Sequence, residues 1–152
     1  MEDTNNFKHA DKFVLSRFIR AQAPVYATVL KELKEAKKVS HWMWFIFPQV
    51  AGLGSSDTSV FYSIKSLEEA AAYLAHPVLG KRLIECSTIL SAIKNKTAYH
   101  IFSSPDDHKL RSCMTLFSLL PNAPDVFDQV LGIYFKGQKD QLTVGIVQRM
   151  KD

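Results

Sequence analysis

Two short stretches of this chain concentrate the residue types that can do chemistry. The first is Ser40-His41-Trp42-Met43-Trp44-Phe45-Ile46-Phe47-Pro48-Gln49, which holds both tryptophans and two of the ten phenylalanines. Its polar members are Ser40, His41 and Gln49. A histidine titrates near neutral pH, so His41 is a candidate general acid or base, or a hydrogen-bonding group for a ligand. The competing reading is that its ring only tethers the buried aromatic run. Aromatic side chains bury roughly 150–250 Å² each, so a run this apolar must send most of them inward. Trp42, Trp44 and Phe47 therefore read as core, with one tryptophan left for a pocket wall. Ser40 and Gln49 would need partners if buried.

The second stretch is Pro105-Asp106-Asp107-His108-Lys109-Leu110-Arg111-Ser112, followed by Thr115. Carboxylates suit the first turn of a helix, which accounts for Asp106 and Asp107 without any function. Cations at a helix start are at the wrong end of the dipole. Lys109 and Arg111 thus read as binders of a phosphate or carboxylate, with Ser112 and Thr115 on nearby faces. The bland alternative is an ion pair from Asp107 to Arg111 at i, i+4. If the site is catalytic, His41 is the acid or base and an aspartate, Asp106 or Asp107, orients it or activates water. The candidate set is then His41 and Asp107 for catalysis, with Ser40, Trp42, Trp44, Gln49, Lys109, Arg111 and Ser112 for binding.

The elements that must position these groups are helices. Val14, Phe18, Ala21 and Val25 recur at helical spacing from Asp11, and Pro24 starts a second helix that buries Tyr26, Val29, Leu30 and Leu33. Its other face interleaves Lys31, Lys34, Lys37 and Lys38 with Glu32 and Glu35, the pattern of a solvated surface. Residues 51–57 read as a glycine- and serine-rich loop, and Val60, Tyr62 and Ile64 alternate as a short extended segment. Ser66 with Glu69 forms a capping box. Pro77 opens a helix with Leu79, Leu83, Cys86, Leu90 and Ile93 on one stripe. Pro105 opens the next, burying Leu110, Cys113, Met114, Phe117 and Leu120. Phe127, Val130, Leu131 and Tyr134 define another, and a last helix buries Leu142, Ile146 and Met150. The expectation is an all-α, single compact domain over residues 11–152, with six to seven helices wrapped around the aromatic segment and residues 1–10 as a flexible tail.

The words SHWMWFIFPQ, AGLGSS, YSIKSLEEAAAYLAHPVLGKRL and PDDHKLRSCMTLF carry a resemblance that runs from about Phe13 to Phe135. The chain resembles domain of unknown function family 1810, small bacterial and fungal proteins sometimes labelled calpastatin. The resemblance implies a compact, largely helical domain and no established activity. The calpastatin label is a misnomer here, because an inhibitor of that name is expected to be disordered and repetitive, whereas this chain is neither.

With 152 residues, 47% hydrophobic, the chain has enough apolar material for one sizeable core. No apolar run is long enough to cross a membrane and the N-terminus is polar, so a cytoplasmic location without membrane contact is the default. Cys86 and Cys113 fall on apolar faces and read as buried thiols. The five histidines lack metal-ligand spacing, so neither a metal nor a cofactor is expected. The glycine loop lacks the complete dinucleotide fingerprint and the Lys-Ser/Thr of a P-loop. A net charge of +4 suits an anionic partner but is a weak nucleic-acid footprint. The leading functional expectation is a pocket, catalytic or not, for an anionic small molecule such as a nucleotide or phosphorylated metabolite. The alternative is a protein-interaction module, with weak nucleic-acid binding through the Lys31–Lys38 face a remote third.

Overall fold

Among the residues described by the computed structural model, 11–151, the secondary structure is helical throughout, apart from one isolated parallel bridge between Val50 and Ile64. In chain order the helices are α1 (Ser16–Gln22), α2 (Tyr26–Lys34), α3 (Met43–Ile46), α4 (Asp57–Phe61) and α5 (Leu67–Ala75). They continue with α6 (Leu79–Ala92), α7 (Ala98–Phe102), α8 (Asp106–Ser118), α9 (Val126–Phe135) and α10 (Gln141–Lys151). The all-α class stands, with ten helices among the described residues in place of six to seven. The three additions, α3, α4 and α7, have four or five residues each, too few to display a 3.6-residue period. The tail expected at 1–10 lies outside the described residues.

Proline and capping signals set the starts of the longer helices. Pro24, Pro77 and Pro105 stand one or two residues ahead of α2, α6 and α8. The Ser66 side chain accepts from the Glu69 N–H at 3.0 Å, as a capping box requires. Glu69 does not reach back to Ser66, however. It accepts from the Lys65 N–H at 2.8 Å and pairs with Arg17 at 2.7 Å. That guanidinium also donates to the carbonyls of Phe13, Val14, Phe61 and Ser63, so the largely buried pair is fully hydrogen-bonded and joins the start of α1 to α4 and α5.

The middle of the molecule is α8, whose residues Ser112 to Phe117 are all buried together with Leu110. It packs on α9, α10, α7 and α5, while α6 lies against α9, α5 and α2. Tyr73, Phe117 and Phe127 form a line of rings through this layer at 5.5 and 5.9 Å. Cys86 and Cys113 are buried thiols of the core; burial pushes Cys86 up to about 12 and raises Cys113 well above its usual value.

Four local expectations are revised by tertiary contacts. Val14 is exposed with φ +54°, so α1 begins only at Ser16 and buries Phe18 and Gln22. The Val60–Ile64 segment is not extended through its length: Ser56 caps α4, and only Ile64 pairs, its N–H donating to the Gln49 carbonyl and its carbonyl accepting from the Ala51 N–H, both at 2.8 Å. In α10 Leu142 is 71% exposed, and Thr143 and Val147 take the buried positions. Thr143 can do so because its hydroxyl donates to Asp140.

The fourth revision concerns Glu32. The charge pattern places it on a solvated face, yet it is only 6% exposed. Its carboxylate accepts from the Val39 N–H (2.8 Å), the Ser40 N–H (3.0 Å), the Ser40 hydroxyl and the Trp42 indole N–H (2.9 Å). Burial alone would push this carboxyl up. The hydrogen bonds from Ser40, Val39 and Trp42 outweigh it and hold the group at about 2, below the ordinary 4.5. A depressed folded-state value means stability that is complete above about pH 4.5 and is lost as the pH falls towards 2. Glu32→Gln, which places an N–H₂ against some of these donors, should therefore cost about 2–4 kcal/mol at neutral pH. In urea titrations followed by circular dichroism, the gap to the parent should narrow below pH 4.5. A gap independent of pH would show that the carboxylate charge is not what the four donors hold.

The α5–α6 junction depends on a glycine. A Cβ built on Gly80 would stand 1.9 Å from the Leu74 carbonyl oxygen, a backbone atom that cannot swing aside. Gly80→Ala should destabilise by about 3 kcal/mol or more, read as a lowered urea midpoint.

Candidate functional site

The Ser40–Gln49 stretch is divided between core and surface by its own backbone. Trp42, Met43, Ile46 and Phe47 are buried, Trp44 and Phe45 are half-buried, and His41 is exposed. Trp42 closes a triangle with Phe47 and Phe102, with centroid separations of 6.1–6.4 Å. One turn of α3 then rotates Trp44 away from this triangle towards α8. The two tryptophans thus take the two roles open to them, Trp42 in the core and Trp44 in a wall.

That wall belongs to a cavity of about 470 Å³, within the roughly 300–1,000 Å³ of small-molecule sites. Trp44 and Gln49 come from the aromatic stretch, and Leu53 to Ser56 with Ser59 from the loop and α4. Pro105, His108, Lys109 and Ser112 come from the start of α8, and Asp140 and Leu142 from the start of α10. The two chemically distinctive stretches therefore meet in space. Helix geometry explains the α8 set, since His108 and Ser112 are four residues apart, Lys109 and Ser112 three apart, and such positions share a face. Gly54 lets the loop turn closely onto α4: a Cβ there would lie 2.5 Å from Ser59 Oγ.

Charge in the cavity is divided. Lys109 Nζ sits 5.0 Å from the centre of the Trp44 ring, a cation–π placement, and 3.6 Å from Asp106 Oδ1. Asp106 has a closer partner in Lys38 at 2.9 Å, so its charge is largely taken and Lys109 keeps donors to spare. Lys38 also donates to the Ser40 carbonyl at 2.6 Å and lies over the Trp42 ring at 5.0 Å. The chain of contacts Glu32–Trp42–Lys38–Asp106–Lys109–Trp44 thereby joins the buried tryptophan to the cavity wall. Asp140 caps α10: its Oδ2 accepts from the Thr143 N–H and hydroxyl and from Ser112 Oγ at 3.1 Å, and its own N–H donates to Thr115 Oγ1. Among the described residues Asp140 Oδ1 and the Gln49 amide carry no hydrogen bond, and neither is a buried unsatisfied group. Both residues line the cavity.

Of the residues singled out from sequence, Trp44, Gln49, Lys109 and Ser112 line this cavity. Ser40 and Trp42 support it from behind through Glu32 and Lys38. His41 and Asp107 do not line it; Asp107 accepts from the His108 N–H at 2.9 Å. Arg111 donates from Nε to the Gln138 carbonyl at 2.9 Å and from Nη2 to the Lys139 carbonyl at 3.0 Å. No ion pair within 4.0 Å joins it to Asp107 among the described residues. His108, Asp140 and the serines of the loop are additions. Asp140 had a signal, an aspartate three residues before a threonine ahead of an apolar run, whereas His108 had none beyond its place beside Lys109. Among the described residues no three His, Cys, Asp or Glu side chains cluster closely enough to hold a metal ion, and no helix is long and apolar enough to cross a membrane.

A second cavity of about 500 Å³ lies between α1, α4 and α5, lined by Phe13, Val14, Val60 and Phe61 together with Lys12, Lys65, Ser66 and the Arg17–Glu69 pair. It is apolar, and Val14, Val60 and Phe61 are about half exposed.

An all-helical fold with a charge-divided cavity between an aromatic turn and two helix starts is the class of protein these features define. Residues 12–147 match the family model described as "Protein of unknown function (DUF1810)", and the chain belongs to that family. It is similar to the crystal structure of the conserved hypothetical protein Rv1873 from Mycobacterium tuberculosis, with 48% identity and a TM-score of 0.89, over 91% of this chain and 99% of that one. No curated protein matches.

Arg111 generates a test of its own surroundings. Replacing it with Met removes two charge-assisted bonds that tie α8 to the segment entering α10, and should cost about 1–2 kcal/mol. Thermal unfolding measures it, and an unchanged midpoint would return Arg111 to the pool of free anion-binding cations.

Proposed function

We propose that this protein binds an anionic small molecule, nucleotide- or phosphate-like, in the cavity between α3, the 53–59 loop and the starts of α8 and α10. The observation that carries this reading is the seat of Lys109, on the Trp44 ring and beside an Asp106 already paired with Lys38. A lysine held in place but not neutralised is a ready point charge for an anion. Trp44 and Ser112 supply the wall, and the Gln49 amide supplies a neutral hydrogen bond; the Ser112 hydroxyl already donates within the protein. His108 also lines the cavity, and binding does not require it.

Lys109→Met should abolish binding of phosphate-bearing ligands while leaving the melting temperature within a few degrees of the parent, because Asp106 keeps Lys38. Trp44→Ala should weaken it. The measurement is a thermal-shift screen against nucleotides, sugar phosphates and organic acids; a ligand at 100 times its dissociation constant adds roughly 2.7 kcal/mol, or several degrees for a domain of this size. A flat screen would favour the second reading, a protein-interaction module. Its support is the apolar face around Phe61, and its signature is concentration-dependent sedimentation that Phe61→Ser removes.

A further inference from the structure

The cavity places an acceptor-only group close to its donor-only group. Asp140 Oδ2 is bonded to Ser112 Oγ at 3.1 Å, and Ser112 is one turn from Lys109 on the same face of α8, so the carboxylate and the ammonium border the same space. They do not pair with each other; Lys109 turns to Asp106. An ionised carboxylate can only accept hydrogen bonds and an ammonium can only donate them. A plain anion filling this cavity would set its charge against Asp140, at a cost. The ligand must therefore present an anion at one end and hydrogen-bond donors at the other.

Resting on the anion-binding reading above, we propose that the ligand is a hydroxyl-bearing phosphate ester, a sugar phosphate or the ribose phosphate part of a nucleotide. Its phosphate lies on Lys109, and its hydroxyls donate to Asp140 Oδ1 and exchange hydrogen bonds with the Gln49 amide. Those two groups are polar atoms of the lining that the fold leaves unused among the described residues. A compact zwitterion could bring an ammonium to Asp140. It would leave the Gln49 amide without a partner, whereas a ring carrying several hydroxyls reaches both that amide and Asp140. Trp44 offers the flat apolar surface on which the carbon face of a sugar ring packs.

The experiment is calorimetric titration of the full chain with ribose 5-phosphate and with inorganic phosphate, on the parent, Gln49→Leu and Asp140→Ser. Serine is as good an N-cap as aspartate, so α10 keeps its start, while the side chain no longer reaches the cavity. Gln49→Leu removes an amide with no hydrogen bond to the other described residues and guards against an unstable Asp140 variant. The parent should prefer the ester by about tenfold or more, the worth of one hydrogen bond to a charged group. Each variant should lose most of that preference, ester affinity falling relative to phosphate affinity. Equal affinity of the parent for both probes, or a preference that survives both substitutions, would overturn the hydroxyl assignment and leave the anion site standing. Binding of neither probe would overturn the anion site and this inference together.

Discussion

A carboxylate removed from water must be given donors, and the four donors around Glu32 organise the half of the molecule that holds the cavity. They come from Val39, Ser40 and Trp42, a segment that would otherwise be free to cross the end of α2 in many ways. Satisfying the carboxylate fixes the entry angle of the aromatic turn, with the Trp42 indole inward and Phe47 and Phe102 packed against it. Once Trp42 is fixed, the single turn of α3 leaves Trp44 only the direction of α8. The cavity wall is a consequence of a buried charge one helix away.

The same logic recurs in smaller form. Lys38, with a side chain only 8% exposed, is tolerable there because a carbonyl, an aspartate and a ring face share its charge. Arg17 is matched to Glu69 and to four carbonyls. Asp140 is matched to Thr143 and Ser112. Buried polar groups need to be fully hydrogen-bonded to be neutral in their effect on stability, and here each such cluster ties an irregular segment to a helix: Val39–Trp42 to α2, the 61–65 turn to α1 and α5, and the entry to α10 to α8. With little sheet to supply long-range backbone bonds, side-chain clusters do the joining. In the proposed reading, Lys109, the Gln49 amide and Asp140 Oδ1 are the groups that a bound ligand would engage.

How far the residues alone could be read depended on the range of the interaction. Helix class, seven of the helices and the stripes of α6 and α8 were legible, because period, proline and capping are encoded within one or two turns. The division of the aromatic run into core and wall was legible as an expectation, but not which tryptophan took which part. The short helices were not, nor was Leu142 at the surface, since a single turn has no period and Thr143 displaces Leu142 only through a bond to Asp140.

The sequence by itself determined that the chain is all-helical, that its aromatic segment is mostly buried, and that unusual chemistry sits at Ser40–Gln49 and at the start of α8. Those are properties of composition and of spacing along the chain. Only the tertiary structure decided that Glu32 is buried rather than solvated, that Arg111 ties two segments together, and that Trp44, Gln49, Lys109, Ser112 and Asp140 line one cavity. The physical reason is that a charged or polar side chain has several partners open to it, carbonyl, carboxylate, ring or water. Packing of segments distant in sequence selects among them, and no local pattern records that choice.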